Sequence, residues 1–563
     1  MAEMILPGVY IEVRPEGLIT PGRVTVGNVG VVGTASKGPV GQAVIVGTYT
    51  EARQRFGAYD SFIDPSNNQP RQDSLTLVRA LEQIFGHGAT TVFAVRVAGG
   101  TKAKASYELS SATGPCVTLN AKTEGDWGNG LSINVAAATD HAYIEDEAVP
   151  TSGAGALTLR LNPVVQSARN RIRHRLDATN VTRSLKIVYD PTAPAAGEVQ
   201  INRTTGVLTF LPAETPAPAD TVTASYLVDK SKAVKVTLRL GQADEVYTVV
   251  DGTDLTADIN QRTGGSVWVD ATPGANAAEL PLTTVPATEP PVFAAFKGGN
   301  NGAAGADYKE GLEKLLNEDA HIMVAAGQDD SFGDELDSHC QVASSDAIRR
   351  DRIAVVGSRL GATLEDLRGH NLASDRLIFV APGIKTTDAV SKEEVTLPGA
   401  YAAGAVAGLL ASFSAHISLT NKTVQVGGLE QRYTSAELTQ LVLNRVLALE
   451  ARQGFRIVKG ITTSTNTAWH QITTRRIVDF AKFGVRSASN PYIGLLNNER
   501  VRAALRATIN SFLTEMVDDE KLISYELEVT ATRDEEIKGI ARVTMVLRAT
   551  FSIDFIKVTM FLE

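Results

Sequence analysis

Residues 524–563 read SYELEVTATRDEEIKGIARVTMVLRATFSIDFIKVTMFLE. In Ser524–Thr530 the apolar Tyr525, Leu527 and Val529 alternate with Ser524, Glu526, Glu528 and Thr530. A polar turn follows at Arg533-Asp534-Glu535-Glu536, and apolar residues then recur at Ala541, Val543, Met545, Leu547, Ala549, Phe551, Ile553 and Phe555. Alternation of period two marks a strand with one buried face. The segment is therefore expected to form a long hairpin whose apolar face holds Tyr525, Leu527, Val529, Val543, Met545, Leu547 and Phe551. After Phe555 the apolar set becomes Ile556, Val558, Met560 and Leu562. A one-residue slip flips the buried face, which predicts a break near Phe555–Ile556 and a final strand over 557–563 serving a different sheet. A lone hairpin is marginal, and its open edges invite further strands.

The opposite end carries a similar signal. Val9, Ile11 and Val13 alternate with Tyr10, Glu12 and Arg14, bracketed by Pro7-Gly8, Pro15 and Pro21-Gly22. A strand with no neighbouring hairpin must pair with something distant in its own chain or with another chain. Val9, Tyr10, Ile11, Glu12 and Val13, with Val558, Met560 and Leu562, are the candidate inter-subunit strand residues.

Between the ends the pattern changes twice. Residues 23–100 alternate strand-like runs (Val24–Val32, Ala43–Val46, Thr91–Val97) with helix-like ones (Thr50–Phe56, Asp73–Phe85). From 101 to 295 Thr, Ala, Val, Gly and Pro dominate and turns separate short strand candidates such as Cys116–Asn120, Leu157–Leu161, Val222–Leu227 and Val234–Leu238. From 296 to 520 the α/β pattern returns, with strands at Ala320–Ala326, Arg352–Val356 and Arg376–Val380. Thr434 and Glu437 fit a capping box, followed by Leu438, Leu441, Val442 and Leu449 on one helical face. The fold expected is a multidomain α/β core (23–100 and 296–520) interrupted by a large all-β insertion. That insertion is read as one β domain (101–140 and 233–295) with another nested inside it (141–232). An N-terminal arm (1–22) and a C-terminal hairpin and arm (521–563) complete the chain.

The 563 residues carry 54 basic and 63 acidic side chains, a net charge of −9, and 43% are hydrophobic. That composition suits several globular cores and argues against nucleic-acid binding by bulk charge. Two cysteines, Cys116 and Cys340, exclude a disulfide scaffold and a cysteine zinc site. No signal peptide is legible at the start. Val395–Asn421 lacks Asp, Glu, Lys and Arg, and Gly404 and Gly408 are spaced GxxxG. The Ala/Gly richness, with Pro398 and His416 inside, reads as a buried helix rather than a membrane span. No two of the eight histidines are three to five apart, so HExxH-type motifs are missing, as are GxxxxGK[ST] and GxSxG. Gly27, Gly30 and Gly33 follow a GxxGxxG spacing without the helix that a dinucleotide fingerprint needs. No catalytic residue, cofactor site or metal site is assigned. Helix 499–516 has Val501, Leu505, Ile509, Phe512, Leu513 and Met516 on one face, with Arg500, Arg502 and Arg506 in its first two turns. Cations there oppose the helix dipole, which suggests either a solvated face or docking onto an acidic partner.

Pro7-Gly8-Val9-Tyr10-Ile11-Glu12, Gly125-Asp126-Trp127-Gly128-Asn129 and Gly298-Gly299-Asn300-Asn301-Gly302 are followed by Gly460-Ile461-Thr462-Thr463, Trp469, Arg475-Arg476, Phe512-Leu513 and Asp554-Phe555-Ile556, in that order. These stretches carry a resemblance to the contractile tail sheath family. It implies a structural, non-enzymatic subunit that stacks in hexameric rings as a helical homo-oligomer around an inner tail tube protein. Baseplate and tail terminator proteins would be its further partners, with no nucleic acid, no membrane insertion and no cofactor. Arms would add strands to neighbouring subunits, with Pro15, Gly17, Pro21 and Gly22 as hinge. Arg500, Arg502 and Arg506 would touch the tube. The location implied is a virion tail assembled in a bacterial cytoplasm. The sheath of a pyocin or phage-like injection system is a close alternative. An α/β enzyme with a β-rich accessory domain, acting at the loops after Val356 or Val380, is the rival of another class, and a β-rich adhesin is a third.

Overall fold

The computed structural model describes residues 27–151, 156–261, 264–283 and 292–561. The N-terminal arm strand Val9–Val13, the hinge residues Pro15, Gly17, Pro21 and Gly22, and Leu562 lie outside the described residues. The chain forms two compact units, 1–100 with 302–563 and 101–301.

The first unit is built on an eight-stranded sheet in the order Ala43–Val46, Val92–Arg96, Val29–Gly33, Ile322–Ala325, Ile353–Gly357, Leu377–Ala381, Leu447–Ala451 and Phe455–Ile457. The inner six strands are parallel and the two edge strands antiparallel. Val29–Gly33, Val92–Arg96, Ile353–Gly357 and Leu377–Ala381 are buried along their whole length, as parallel strands covered on both faces must be. One face packs on helices Leu77–Gly86 and Gly399–Ser412, the other on Tyr308–Lys314 and Gly333–Ala343.

One glycine of the GxxxG spacing has a packing cause. A side chain at Gly408 would collide with the Ile84 carbonyl, whereas a Cβ at Gly404 would meet the Ala80 carbonyl at 3.5 Å, an ordinary contact. Gly408 lets helices Leu77–Gly86 and Gly399–Ser412 approach backbone to backbone. No helix among the described residues is long and apolar enough to cross a membrane.

The capping box forms, with Thr434 accepting from the Glu437 amide. Its helix ends at Leu443, however, so Leu449 does not share that face. Arg445 takes φ 67°, turning the chain into strand Leu447–Ala451. The left-handed residue breaks an apolar periodicity that otherwise runs on unchecked.

The second unit holds two apolar clusters. A four-stranded sheet (Ala243–Val249, Val234–Leu240, Leu131–Ala137, Ala294–Ala295) and a three-stranded one (Val269–Pro273, Pro115–Ala121, Ser106–Ser110) share the first. A seven-stranded sheet between Ala142 and Val228 surrounds the second. The unit is not all-β: helix Gly252–Asn260 starts at Asp251, whose carboxylate accepts from the Asp254 amide, and buries Leu255 and Ile259. The cap and the i,i+4 apolar pair override the surrounding β composition. Leu157–Leu161 forms a single bridge, Thr158 to Val207, rather than a strand.

Candidate assembly surface

The C-terminal module of the first unit is built from helices Ile472–Ser489 and Glu499–Asp518 and a hairpin, Leu522–Thr530 with Arg542–Ala549. In the hairpin register Tyr525 faces Leu547, Leu527 faces Met545 and Val529 faces Val543. These six side chains are half-buried against Ile509, Phe512, Leu513 and Met516 of the long helix. The Tyr525 hydroxyl donates to Asn510 Oδ1 at 2.8 Å, so the amphipathic strands and the amphipathic helix satisfy one another. Phe480 stacks on Phe512 at 5.9 Å between centroids, and Gly484 leaves the room that the Phe512 ring fills.

Charge fastens the module to the sheet. Asp351, just before strand Ile353–Gly357, pairs with Arg376 at 3.4 Å, with Arg486 at 2.6 Å and with Lys482. Asp479 pairs with Arg376 at 2.9 Å and Arg475 at 2.7 Å, and Arg475 reaches Asp375 at 2.9 Å. Helix Ile472–Ser489 is thereby stapled to the amino ends of two parallel strands.

The hairpin turn is structured. Helix Arg533–Ile537 opens with a Thr532/Glu535 capping box. The Thr532 amide, then Arg542 and the Thr532 hydroxyl, pull the Glu535 carboxyl down to about 2. Arg502 lies in this arrangement rather than in solvent: its Nη1 meets Glu536 Oε1 at 3.0 Å and Asn497 Oδ1 at 2.9 Å. Arg500 and Arg506 are exposed. The arginines of the first two turns thus divide, one holding the hairpin turn and two exposed.

Among the described residues, the hairpin is a two-stranded sheet with no third strand on either edge. The chain beyond Ala549 forms no strand through Phe561. Phe551, expected on the apolar hairpin face, is exposed, and among the described residues, 550–561 form no strand, so neither the break near Phe555–Ile556 nor the final strand is formed there. A strand exists only when a partner takes its backbone hydrogen bonds, and beyond the bond from the Thr550 amide to the Lys521 carbonyl no partner strand among the described residues pairs with residues 551–561. Phe551, Ile553, Phe555, Ile556, Val558, Met560 and Phe561 are 62–88% exposed. The segment is tethered midway, where Lys459 pairs with Asp554 at 3.7 Å and lies over the Phe555 ring.

Both cysteines and the histidines His321 and His339 are shifted by burial. Burial pushes the Cys340 thiol up to about 12 and also raises that of Cys116. Burial next to Arg352 holds His339 and His321 down to about 4. Ser358, in the loop after Val356, is buried, and its amide donates to the Val380 carbonyl.

Residues 301–463 match the family model for the phage tail sheath protein central domain, and residues 464–563 that for the phage tail sheath C-terminal domain. The chain is 31% identical over 204 residues to the tail sheath protein of Staphylococcus phage Twort, covering 33% of each. The match spans about a third of that relative's length. Two solved structures share the fold. A sheath tail protein from Desulfitobacterium hafniense superimposes with TM-score 0.58 at 14% identity, over 96% of this chain and 100% of that one. A sheath tail protein from Listeria innocua gives TM-score 0.55 at 13% identity, over 95% and 97%.

Proposed function

We propose that this chain, whose residues 301–563 carry the central and C-terminal domains of the phage tail sheath family, is the structural subunit of a contractile sheath. It polymerises around an inner tube and shortens to drive that tube through a target envelope. The observation that carries the reading is the pairing of an open-edged hairpin with an apolar C-terminal segment that finds no cover among the described residues. Two such features on every copy are complementary, because a segment of one copy can complete the hairpin of the next. Such a head-to-tail contact that does not close generates helical polymers.

Residues 1–22 act as the second arm, with Val9–Val13 as its strand and Pro15, Gly17, Pro21 and Gly22 as its hinge. An extended arm of about 15 residues spans roughly 50 Å, enough to reach a neighbour. Arg500 and Arg506 meet the tube, with Arg502 positioning the surface they stand on. The 101–301 unit is an insertion in the core, and 141–232 is a domain nested within it. The energy of contraction is the additional surface buried between subunits, so no nucleotide enters. Replacing Arg500 and Arg506 together by Glu is expected to abolish co-assembly with purified tube while self-polymerisation persists. Normal tube-filled sheaths would refute the contact.

A further inference from the structure

The chain lays down strand Val29–Gly33, continues on one side with Val92–Arg96, and later returns on the other side with Ile322–Ala325. Where crossovers leave neighbouring parallel strands in opposite directions, a crevice opens beyond their carboxyl ends, the usual ligand position in open α/β sheets. A cavity of about 280 Å³ occupies that place. Thr34 follows the first strand into its wall, Gly327 and Gln328 follow Ile322–Ala325, and Arg359 follows Ile353–Gly357, with Arg71 alongside.

The hydroxyls in the wall satisfy one another. Thr34 Oγ1 donates to the Ser74 carbonyl at 3.1 Å and lies 3.2 Å from Thr76 Oγ1, which is 2.8 Å from the Tyr308 hydroxyl. Tyr308 donates to the Ala326 carbonyl at 3.1 Å. Arg71 is different: its Nε is buried and has no hydrogen-bond partner. Arg359 is steadied by Asp366 at 2.8 Å. Asp329, the carboxylate in the wall, spends its Oδ1 on the Ser331 amide and hydroxyl. The lining therefore combines a set of mutually bonded hydroxyls, one carboxylate already engaged through Oδ1, two guanidinium groups and a buried N–H without an acceptor. Buried donors are costly when unpaired, and a guanidinium fork matches the planar spacing of an oxyanion.

We propose that this cavity binds a small oxyanion, a phosphate or carboxylate group, contacted by Arg71 and Arg359. The site lies within the sheet of the first unit and does not depend on polymer formation. An anion there joins the connection before helix Leu77–Gly86 to the ends of the central strands, and so stabilises the fold by mass action.

The test is thermal unfolding and calorimetric titration of the full chain with inorganic phosphate and with succinate, against sodium chloride at matched ionic strength. A saturable rise in Tm with one of the two, absent with chloride, is expected, and which probe gives it identifies the anion. Arg71→Met should weaken that binding by about tenfold or more. Arg71→Lys should recover part of it. Arg359→Met, on the exposed side of the cavity, should weaken binding while leaving the ligand-free Tm unchanged. No saturable rise with either probe, or an affinity unchanged from the parent in both Met variants, would overturn the proposal.

Discussion

Arg79 and Asp388 form an ion pair at 3.0 Å with both side chains essentially out of solvent. Asp388 also accepts from the amides of Phe62, Val390 and Ser391. Removing the cation alone leaves a buried carboxylate, so Arg79→Met is expected to cost about 3–5 kcal/mol, read as a large fall in the urea midpoint. His339 gives a pH dependence whose sign follows from its environment. It is buried beside Arg352 Nη1 at 3.0 Å and held to about 4, below the ordinary 6.5. Between those values the unfolded chain takes a proton that the folded chain refuses, so stability falls as pH drops from 7 toward 4. At pH 5 the loss is on the order of 2 kcal/mol. The slope of unfolding free energy against pH should flatten in His339→Gln; an unchanged slope would assign the dependence to other groups. The arginines of the long helix show what residue-level reading can and cannot reach. Their placement against the dipole is legible in the sequence, but the recruitment of Arg502 by Glu536 depends on a hairpin turn 34 residues away. That contact is fixed by tertiary packing, which no local pattern encodes.

Elements with strong periodicity were the most legible. The hairpin, the long helix and the parallel strands follow from alternation, from the 3.6-residue stripe and from short apolar runs. Helix Gly252–Asn260 was hidden by β-rich surroundings, although its Asp251 cap was a usable signal. The alternation of residues 551–561 states what the segment can do with a partner, and among the described residues it forms no strand. The balance explains why. Burying each large apolar side chain is worth about 1.5–3 kcal/mol, against about 1–2 kcal/mol per residue ordered. The segment gains little unless a neighbouring edge also takes its backbone hydrogen bonds. Between elements, Gly408→Val should force helices Leu77–Gly86 and Gly399–Ser412 apart. A loss of more than about 2 kcal/mol is expected, and a Tm within a degree of the parent would contradict the close packing.

At the scale of the whole molecule, the division of labour is between a stiff body and reactive ends. The buried strands, the paired helices and the Asp351/Asp479 network resist deformation, because close-packed cores shift as units. In the sheath proposed above, movement between neighbouring copies would fall to the arms, the bodies turning rigidly on hinges. The proposed nesting of 141–232 has its own consequence: a chain in which this segment is replaced by a short Gly-Ser link should still polymerise. Misfolded product would count against that boundary. The alternation of α/β, β-rich and α/β composition runs parallel to the two compact units, 1–100 with 302–563 and 101–301. The contacts each body makes in an assembly were not readable, since exposed charge is compatible with solvent and with a partner alike.

The central claim is that one copy's C-terminal segment completes the next copy's hairpin. Its most direct test is negative-stain electron microscopy of the full chain beside a chain ending at Ala549, at equal high concentration. Long hollow cylinders from the full chain and only dispersed folded monomers from the shortened one are expected. Cylinders of the same length and abundance from both would contradict it.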